Sequence, residues 1–323
     1  MEVKPIKVGS VLLKNNIFMA PLAGYTSYPF RMLAKEMGAA LCYTEMVSSN
    51  GWKYKDKASL KLLFTTEKEK VKAVQILGSN HRIMSAMCQS DMLEMYDIID
   101  INMGCPVPNV IKNGEGCALM GDLKRASKII RSCTYGKKPV TVKFRTGLFK
   151  SHMVAAEFAK MCEDSGAAMI TIHGRSRDMM YTGEPYYEQI QQAKAAVHIP
   201  VIANGGIDCV ESAEKMMRET GADGIMIHSR KDEPSEIFEF CDLFRMEHPA
   251  TPIVVVPTSF NSVTEAELIA HGVNIVIYAN QLTRSAFPAM EQTAKSILKY
   301  HRAQEADSQL MSIQQILTLI DQL

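Results

Sequence analysis

The segment AMITIHGRSRDMMYTGEPYYEQIQQAKAAVHIPVIANGG, residues 168–206, contains one complete strand–helix–strand unit. Two short apolar runs, AMITIHG (168–174) and PVIANGG (200–206), flank a longer stretch that is typical of a helix. Strands that alternate with helices in this way form parallel sheets. The segment therefore predicts one β/α repeat of a parallel α/β fold.

The same pattern repeats on both sides of this unit. Further apolar, β-rich runs begin near positions 17, 41, 72, 98, 139 and 224, and each is followed by a helix-like stretch. With the two runs above, the strands number eight, which predicts a TIM-type (β/α)₈ barrel. We expect residues 1–230 to form this barrel.

Two more candidate strands follow the eighth, PIVVVPTSF (252–260) and VNIVIYANQ (273–281). A helix starting near Ser235 or Pro234 precedes them, and a helical tail runs from about Pro288 to Leu323. We therefore expect residues 231–323 to add extra β/α units and a helical tail. The two surplus strands either pack outside a closed barrel or displace earlier strands from it.

The composition is that of a folded protein in water, with 47% hydrophobic residues, 22% charged residues and a net charge of +1. This charge neither requires nor excludes a nucleic-acid partner. No apolar run approaches the ~18 residues of a membrane span, and the eight cysteines show neither a CxxC pair nor a zinc spacing. We expect a cytoplasmic protein with reduced thiols, no membrane contact and no structural metal.

Several predicted strands end in residues, most of them polar, that strand formation alone does not require. Because the carboxyl ends of the strands form the active face of this barrel, these side chains should meet at one mouth. They include Pro21, Gln75, Asn102, Cys105, Lys143, Arg145, His173, Arg175 and Asn204.

Cys105 follows a strand directly, in NMGCP (102–106), where Gly104 and Pro106 shape the turn. A free thiol has a pKa near ~8.5, so at neutral pH it can donate a proton. The alternative is a buried structural cysteine.

The other strand-end residues also have two interpretations. Gly205 and Gly206 follow Asn204 and open a helix near Asp208, so their amides are suited to a phosphate, although an ordinary βα turn has the same sequence. Lys143 would stabilise negative charge on a ring, or be a solvated strand end.

Gln75 and His173 would hydrogen-bond a ring edge or a phosphate. Their alternatives are a turn-capping amide and a core histidine whose hydrogen bonds are satisfied within the protein.

A small basic and aromatic cluster lies in the predicted loop after the second strand. It consists of Trp52, Lys53, Tyr54, Lys55 and Lys57. RNA can use such a surface for phosphate contact and base stacking. A solvated loop is the alternative.

Taken together, the segments resemble the tRNA-dihydrouridine synthase family in the same order over roughly residues 5–227. DINMGCP followed by VKFRTG and TIHGR is the most specific part of the resemblance. The matching segments are MAPLAGYTSYPFR (19–31), TEMVSSNGW (44–52), VQILGSN (74–80), DINMGCPVPNVIKNGEGCALM (100–120), VKFRTG (142–147), TIHGRSRDMMYTGEP (171–185) and IPVIANGGI (199–207).

The resemblance implies an FMN-dependent enzyme that reduces uridine in tRNA to 5,6-dihydrouridine, with NADPH as the reductant. Hydride would pass from the flavin to C6 of a flipped-out uracil. Cys105 matches the family's catalytic cysteine, which protonates C5. Asn102 and Arg175 are expected to orient flavin or uracil. The implied flavin-binding residues are Pro21, Leu22, Ala23, Gln75, Lys143, His173, Asn204, Gly205 and Gly206.

The chain departs from this family after the eighth strand. Where the family has a glycine, an arginine and another glycine, this sequence has His228, Ser229 and Arg230. Arg230 is the expected substitute in a shifted register. Of the properties that the resemblance implies, the affinity for flavin is the one that this departure affects most.

From about Ala222 the sequence resembles instead the end of the phosphoenolpyruvate mutase and isocitrate lyase superfamily. The strings are ADGIMIHSRKDEPSEIFEF (222–240), PIVVVPTSF and GVNIVIYANQLTRSAFPAM (272–290). That family holds Mg²⁺ with acidic residues at early strand ends, and no matching Asp pair is present. This second resemblance leaves an Mg²⁺-dependent mutase or lyase as an alternative function. Because the two resemblances meet within one chain, a folded but inactive hybrid barrel is a further alternative.

Overall fold

The structure is a computed structural model that describes residues 3–227, 235–247, 249–255, 261–278 and 281–318. The chain divides into two compact units, Met1–Ser229 and Arg230–Leu323. No helix in these ranges is long and apolar enough to cross a membrane.

The strands of the first unit are short and mostly buried. They are β1 (Ile6–Val8), β2 (Val11–Leu13), β3 (Ile17–Met19), β4 (Leu41–Cys42), β5 (Val47–Ser48), β6 (Ala73–Leu77), β7 (Ile98–Met103), β8 (Val140–Arg145), β9 (Gly147–Phe149), β10 (His152–Met153), β11 (Met169–His173), β12 (Val201–Asn204) and β13 (Gly224–Ile227).

Helices follow the strands of this unit. They are α1 (Tyr28–Glu36), α2 (Ser49–Lys53), α3 (Lys57–Lys61), α4 (His81–Cys88), α5 (Pro108–Lys112), α6 (Leu123–Cys133), α7 (Ala155–Asp164), α8 (Tyr187–Ala196) and α9 (Val210–Thr220), with 3₁₀ turns at Asp91–Leu93 and Gly116–Gly121.

One sheet forms the barrel, in the strand order β4-β3-β13-β12-β11-β8-β7-β6-β5 with parallel neighbours. β4 and β5 are two halves of a single barrel strand, since β4 pairs with β3 and β5 pairs with β6. Between them Tyr43 bridges to Ala73 of β6. The ring is thus closed with eight strand positions, and the predicted TIM-type α/β barrel is confirmed.

The barrel is stabilised by apolar layers on the strands and the inner faces of the helices. Phe144 of β8 and Phe158 of α7 are fully buried and pack with their rings tilted by 51° and their centroids 4.8 Å apart. Burying an aromatic side chain of this kind contributes roughly 1.5–3 kcal/mol relative to exposing it. Contacts of this kind hold the helices against the strands of the barrel.

Helix α9 shows how local sequence sets a boundary near the mouth. Cys209 caps its N-terminus through the amide of Ser212, and Gly221 ends it with φ +63°. A glycine in this left-handed conformation is the usual helix stop. The helix begins at Val210, so the predicted start near Asp208 is two residues early.

The second unit contains its own α/β elements. They are α10 (Ser235–Glu247), β14 (Val254–Val255), α11 (Glu265–Ala270), β15 (Ile275–Val276), α12 (Gln281–Tyr300), a 3₁₀ turn at Gln304–Gln309 and α13 (Ile313–Thr318).

The two surplus strands pair with each other in parallel, Val254 opposite Ile275. They form a separate small sheet with a core that includes Leu268 and Val273. Because the barrel closes without them, they do not displace earlier strands. The tail begins at Gln281, not near Pro288, and Pro288 lies inside α12. Proline is typical of a first helical turn, which is why the sequence suggested a boundary there.

Candidate active site

Parallel register brings the predicted polar residues to one end of the barrel. Gln75 is level with Asp100, Asn102 with Lys143, and His173 with Asn204. Because the strands are adjacent and parallel, their carboxyl ends share one mouth. The side chains at these ends are linked by hydrogen bonds rather than scattered.

A buried chain of hydrogen bonds runs from the barrel interior to the Cys105 loop. Thr141 Oγ1 donates to one oxygen of Asp100 over 2.6 Å, and Gln75 Nε2 donates to the other over 2.8 Å. Asn102 Nδ2 then donates to Gln75 Oε1 over 2.9 Å. Asn102 Oδ1 accepts the amide of Cys105 over 2.9 Å.

The carboxylate gives this chain its direction. An ionised carboxylate only accepts hydrogen bonds, so Gln75 must turn its NH₂ towards Asp100 and its oxygen towards Asn102. Asn102 in turn faces Gln75 with its NH₂ and the loop with its oxygen, which also accepts the amide of Gly104 over 3.1 Å. Asp100 thereby fixes the orientation of the Gln75 amide, which it contacts, and through it that of the Asn102 amide.

Burial raises the pKa of Asp100 to about 6, although its bonds to Gln75 and Thr141 and the nearby Lys143 act in the opposite direction. Its side chain is shielded from water, since the residue is only 1% exposed. A buried carboxylate is tolerated when its oxygens are hydrogen-bonded. At neutral pH the group is therefore mostly ionised and able to organise the chain.

Cys105 is half-buried at the start of the loop after β7. Burial raises the pKa of its thiol, while Arg145 and Lys143 act in the opposite direction. The group is therefore a protonated thiol at neutral pH, with cations nearby to stabilise the thiolate formed when the proton leaves. This is the chemistry of a proton donor.

The loop that holds Cys105 is tightly packed. The Cys117 amide donates to the Cys105 carbonyl over 3.1 Å, and Cys117 Sγ contacts the Gly104 carbonyl over 3.0 Å. At Gly116, which has φ +57°, a Cβ would lie 2.7 Å from the Cys105 carbonyl oxygen. Only glycine fits that position without moving the loop.

Lys143 is half-buried, and its Nζ donates to Asn204 Oδ1 over 2.8 Å. Asn204 Nδ2 donates to the Met226 carbonyl over 2.8 Å, so the next strand fixes this amide too. Burial, followed by the neighbouring Arg145, lowers the pKa of Lys143 to about 8. The lysine is thus largely charged at neutral pH and close to its titration range.

His173 and the following turn pack closely. The Arg175 amide donates to His173 Nδ1 over 3.3 Å, which leaves the other ring nitrogen as the protonated one. A Cβ at Gly205, where φ is +105°, would lie 3.0 Å from the His173 ring. Gly206 also has positive φ, and Arg175 Nε donates to the Gly183 carbonyl over 2.7 Å.

Pro21, Leu22 and Ala23 form the turn after β3. Leu22 exchanges backbone and side-chain hydrogen bonds with Thr26, which holds the turn. Pro21 and Leu22 are half-buried and Ala23 is exposed. The turn stands at the same end of the barrel as the other predicted residues.

Arg145 is at the mouth, as predicted, but the sequence assigned it no role and the structure shows its contacts. It is 2% exposed and donates to the carbonyls of Gly104 (3.0 Å), Ser176 (3.1 Å) and Met180 (2.7 Å). Its guanidinium also lies 5.3 Å from the ring centroid of Tyr181. It ties the Cys105 loop to the loop after β11.

The sequence signals for these additional residues were weak. Arg145 was visible only as a charge at a strand end, and Asp100 as a charge inside an otherwise apolar strand. Thr141 carried no signal, because threonine is common in strands.

The basic and aromatic cluster is not the loop that was predicted. Lys53 ends α2 and Lys57 starts α3, and Trp52 packs partly buried against the barrel core. Lys53 lies over the ring of Tyr54, 5.1 Å from its centroid, and Tyr54 is 74% exposed. The local helix signals after Ser48 and Asp56, which both cap helices, outweighed the loop-like composition.

Two expectations concern metals and the phosphate loop. Arg230, with His228 and Ser229, lies outside the described residues. Among the residues that are described, no group of three or more His, Cys, Asp or Glu side chains is placed to hold a metal ion.

The described residues fit a flavin. Lys143 and His173 stand at the ends of the adjacent strands β8 and β11 and offer a cation and an imidazole to the polar edge of such a ring. Gln75 is buried in β6, and its amide is bonded to Asp100 and Asn102. Gly205 and Gly206 have positive φ, so their amides follow β12 without a Cβ beside them. These two amides would bind the phosphate group of the flavin cofactor.

Comparison with known proteins agrees with this geometry. The family model of dihydrouridine synthase (Dus) matches residues 18–313. A tRNA-dihydrouridine synthase B of Vibrio cholerae serotype O1 is 38% identical over 247 residues, which are 76% of this chain and 76% of the relative. The protein of the same name from Pasteurella multocida is 40% identical over 228 residues, 69% of this chain and 67% of the relative.

Solved structures with a more distant likeness include two enzymes. A morphinone reductase in complex with tetrahydroNAD has a TM-score of 0.47 and 12% identity, covering 69% of this chain and 85% of that one. A phosphoenolpyruvate phosphomutase from Streptomyces platensis subsp. rosaceus has a TM-score of 0.37 and 22% identity, covering 82% of this chain and 95% of that one.

Proposed function

This chain belongs to the dihydrouridine synthase family and is a flavin-dependent oxidoreductase, and we propose that it reduces uridine in tRNA to 5,6-dihydrouridine with FMN as cofactor and NADPH as reductant. The observation that supports the proposal most directly is the Cys105 loop. It places the half-buried Cys105 thiol directly after β7, next to Gly104, whose carbonyl accepts from Arg145. Burial raises the pKa of this thiol, while Arg145 and Lys143 act in the opposite direction. With tRNA as the proposed substrate, we also propose that the enzyme is cytoplasmic.

The residues that would hold the cofactor are those at the strand ends. Gln75, Lys143 and His173 would bind the ring and ribityl chain, and Pro21, Leu22 and Ala23 would line it. Asn204, Gly205, Gly206 and Arg230 would bind the phosphate. When bound, FMN supplies the hydride that reduces C6 of the uracil.

Cys105 completes the reduction by giving its thiol proton to C5. The S–H bond breaks, a C5–H bond forms, and the sulfur remains as a thiolate. Arg145 and Lys143 lower the cost of that thiolate, and water restores the proton. Because a protonated acid is needed at neutral pH, the raised pKa of the thiol matches this role.

Asn102 and Arg175 would orient the reacting groups. Both polar ends of the Asn102 side chain are bonded within the protein, to Gln75 and to the loop amides. Its effect on flavin or uracil is therefore to hold Cys105 and Gln75 in place. The uracil must leave its stack to reach the mouth, as in other base-modifying enzymes.

The first test is the visible absorption spectrum of the protein with FMN, before and after NADPH. Flavin bands that bleach with NADPH support the proposal, and tRNA should then gain dihydrouridine, measured by mass spectrometry of nucleosides. A protein that takes up no flavin from excess FMN contradicts it, and an inactive hybrid barrel or an Mg²⁺-dependent activity would then remain.

The second test is Cys105→Ala. Losing a general acid typically costs about 10²–10⁴-fold, so dihydrouridine formation should fall at least 100-fold while flavin reduction by NADPH is unchanged. Cys162→Ala is the matched control, because Cys162 is buried in α7, away from the strand ends. An unchanged rate in Cys105→Ala would remove the thiol from the mechanism.

A further inference from the structure

Helices α4 and α6 lie side by side on the flank of the barrel and line an open groove of about 840 Å³. Its wall carries Arg82 from α4 and Lys124, Lys128 and Arg131 from α6. All four of these side chains are exposed. Tyr135, which is 80% exposed, stands just beyond the end of α6.

The charge of these two helices differs from that of the whole chain. Their sequences, HRIMSAMC and LKRASKIIRSC, contain five lysines and arginines and no aspartate or glutamate. The whole chain has 36 basic and 35 acidic residues. Among the described residues, no carboxylate forms a salt bridge with the four groove cations.

Arg131 stands in the last turn of α6, where the helix dipole favours a cation, but helix stability does not explain the other cations. Lys124 and Arg125 stand in the first turn of α6, where the helix dipole disfavours cations. Lys124 and Lys128 are four residues apart, and Lys128 and Arg131 three apart, so like charges face each other along one stripe. Each such pair costs roughly 0.2–0.5 kcal/mol. A ligand that neutralises the stripe would remove this repulsion.

The groove continues towards the mouth of the barrel. A second cavity of about 520 Å³ shares His81 and Arg82 with it and is also lined by Ser79 and Arg125. Arg125 Nε donates to the Ser79 carbonyl over 3.1 Å, which holds the guanidinium there. Ser79 lies just after β6, at the carboxyl end of the strands. The basic surface therefore runs from the active face along the flank.

We propose that the α4–α6 groove binds the sugar–phosphate backbone of the RNA substrate. This inference rests on the proposed function, which requires a polyanion to be held while one base enters the mouth. Lysine, arginine, serine and glutamine side chains are the usual phosphate contacts, and Ser85 and Gln89 stand among the groove cations. Tyr135 offers an aromatic face on which an unpaired base can stack.

The spacing of the cations also suits a backbone. With a rise of 1.5 Å per residue, Lys124, Lys128 and Arg131 repeat at about 6 and 4.5 Å along the axis of α6. A repeated series of this kind neutralises successive charges of a chain. The near-zero net charge of the protein means that RNA contact has to come from such a local surface.

The test compares two double variants in the full chain. Lys124→Gln with Lys128→Gln removes two groove charges, and Lys215→Gln with Arg218→Gln removes two exposed charges from α9, a helix that also carries acidic residues. Binding of unmodified tRNA is measured by fluorescence anisotropy between 50 and 200 mM salt. Thermal melting of each variant is recorded in parallel.

The groove variant should bind tRNA about tenfold more weakly, and the slope of log Kd against log salt should fall by about 1–2, close to 0.7–0.9 per lost phosphate contact. The α9 variant should bind within twofold of the unmodified protein. The groove variant should melt no lower than the unmodified protein, since it relieves like-charge repulsion.

Equal binding by both variants would overturn the groove assignment and leave the proposed function intact, because the unmodified protein would still reduce tRNA. If the unmodified protein neither binds nor reduces tRNA, both the groove assignment and the proposed function are wrong. Displacement of tRNA by polyglutamate as effectively as by a short RNA of the same charge would also overturn the proposal, in favour of an acidic protein partner.

Discussion

Replacing Asp100 by asparagine should make the folded protein more stable at neutral pH and less active. The change keeps the shape of the side chain and removes its charge. Asparagine can still accept from Gln75 through its oxygen and donate to the hydroxyl oxygen of Thr141. Both contacts of the carboxylate seen here, at 2.8 and 2.6 Å, therefore survive as neutral hydrogen bonds.

The magnitude follows from the pKa of this group, which burial raises from its ordinary value of 3.8 to about 6. Between these two values the folded protein holds a proton that the unfolded chain has lost. Stability therefore falls as pH rises through this window, by a total on the order of 3 kcal/mol at about 1.4 kcal/mol per pH unit. Above pH 6 the penalty is fully present.

Asparagine does not titrate, so Asp100→Asn should lack this decline. At pH 4 the two proteins should have similar free energies of unfolding. At pH 7 the variant should be more stable by up to about 3 kcal/mol, because it no longer buries a charge.

Function should change in the opposite direction. An amide at position 100 accepts or donates, so it no longer forces Gln75 to turn its NH₂ away from Asn102. We expect dihydrouridine formation to slow about tenfold, since a loosened reactive group loses part of its orientation.

The assay is urea unfolding between pH 4 and pH 7, followed by fluorescence. Trp52 is the single tryptophan of the chain and packs against the barrel core, so its emission reports on the first unit. Unfolding free energies of the two proteins that stay parallel across this range would refute the reasoning. Full activity in the variant would show that Asp100 does not orient the chain.

Two further predictions concern the mouth of the barrel. Gly205→Ala should lower the free energy of unfolding, measured by urea titration, by at least about 1 kcal/mol more than Gly221→Ala. Both glycines have positive φ, but of the two only Gly205 is packed on the His173 ring. Equal losses of stability would contradict the contribution of this contact. Flavin reduction by NADPH, measured by stopped flow, should slow as pH rises through about 8, where Lys143 loses its proton. This pH dependence should be absent in Lys143→Gln, and its persistence there would assign the titration to another group. The lowered pKa also means that the free energy of unfolding rises between pH 8 and 10.5.

The eight barrel strands and the polar residues at their ends were predictable from the sequence. Apolar runs bounded by glycine or proline and separated by helical stretches are local patterns, and they were found at the predicted positions from β3 (Ile17–Met19) to β13 (Gly224–Ile227). Cys105 was also identifiable, since a strand, a glycine and a proline fix where its thiol stands. Family membership followed from the same local motifs.

Other features were not predictable, because they depend on partners distant in sequence. The second barrel strand is split into β4 and β5, and the ring closes because β4 pairs with β3, β5 pairs with β6 and Tyr43 between them bridges to Ala73. The surplus strands could be placed in a sheet of their own only once that closure was known. The groove between α4 and α6 joins residues such as Ser85 and Ser132, which are 47 positions apart in the chain.

The sequence by itself determined the kind of residues at the mouth, because residue type and strand order are written in the chain. Tertiary structure alone decided what those residues do to one another. The direction of the Gln75 and Asn102 amides depends on Asp100, whose raised pKa comes from burial. Burial and hydrogen-bond direction arise only when neighbouring strands come into register, since each requires atoms from several strands at once.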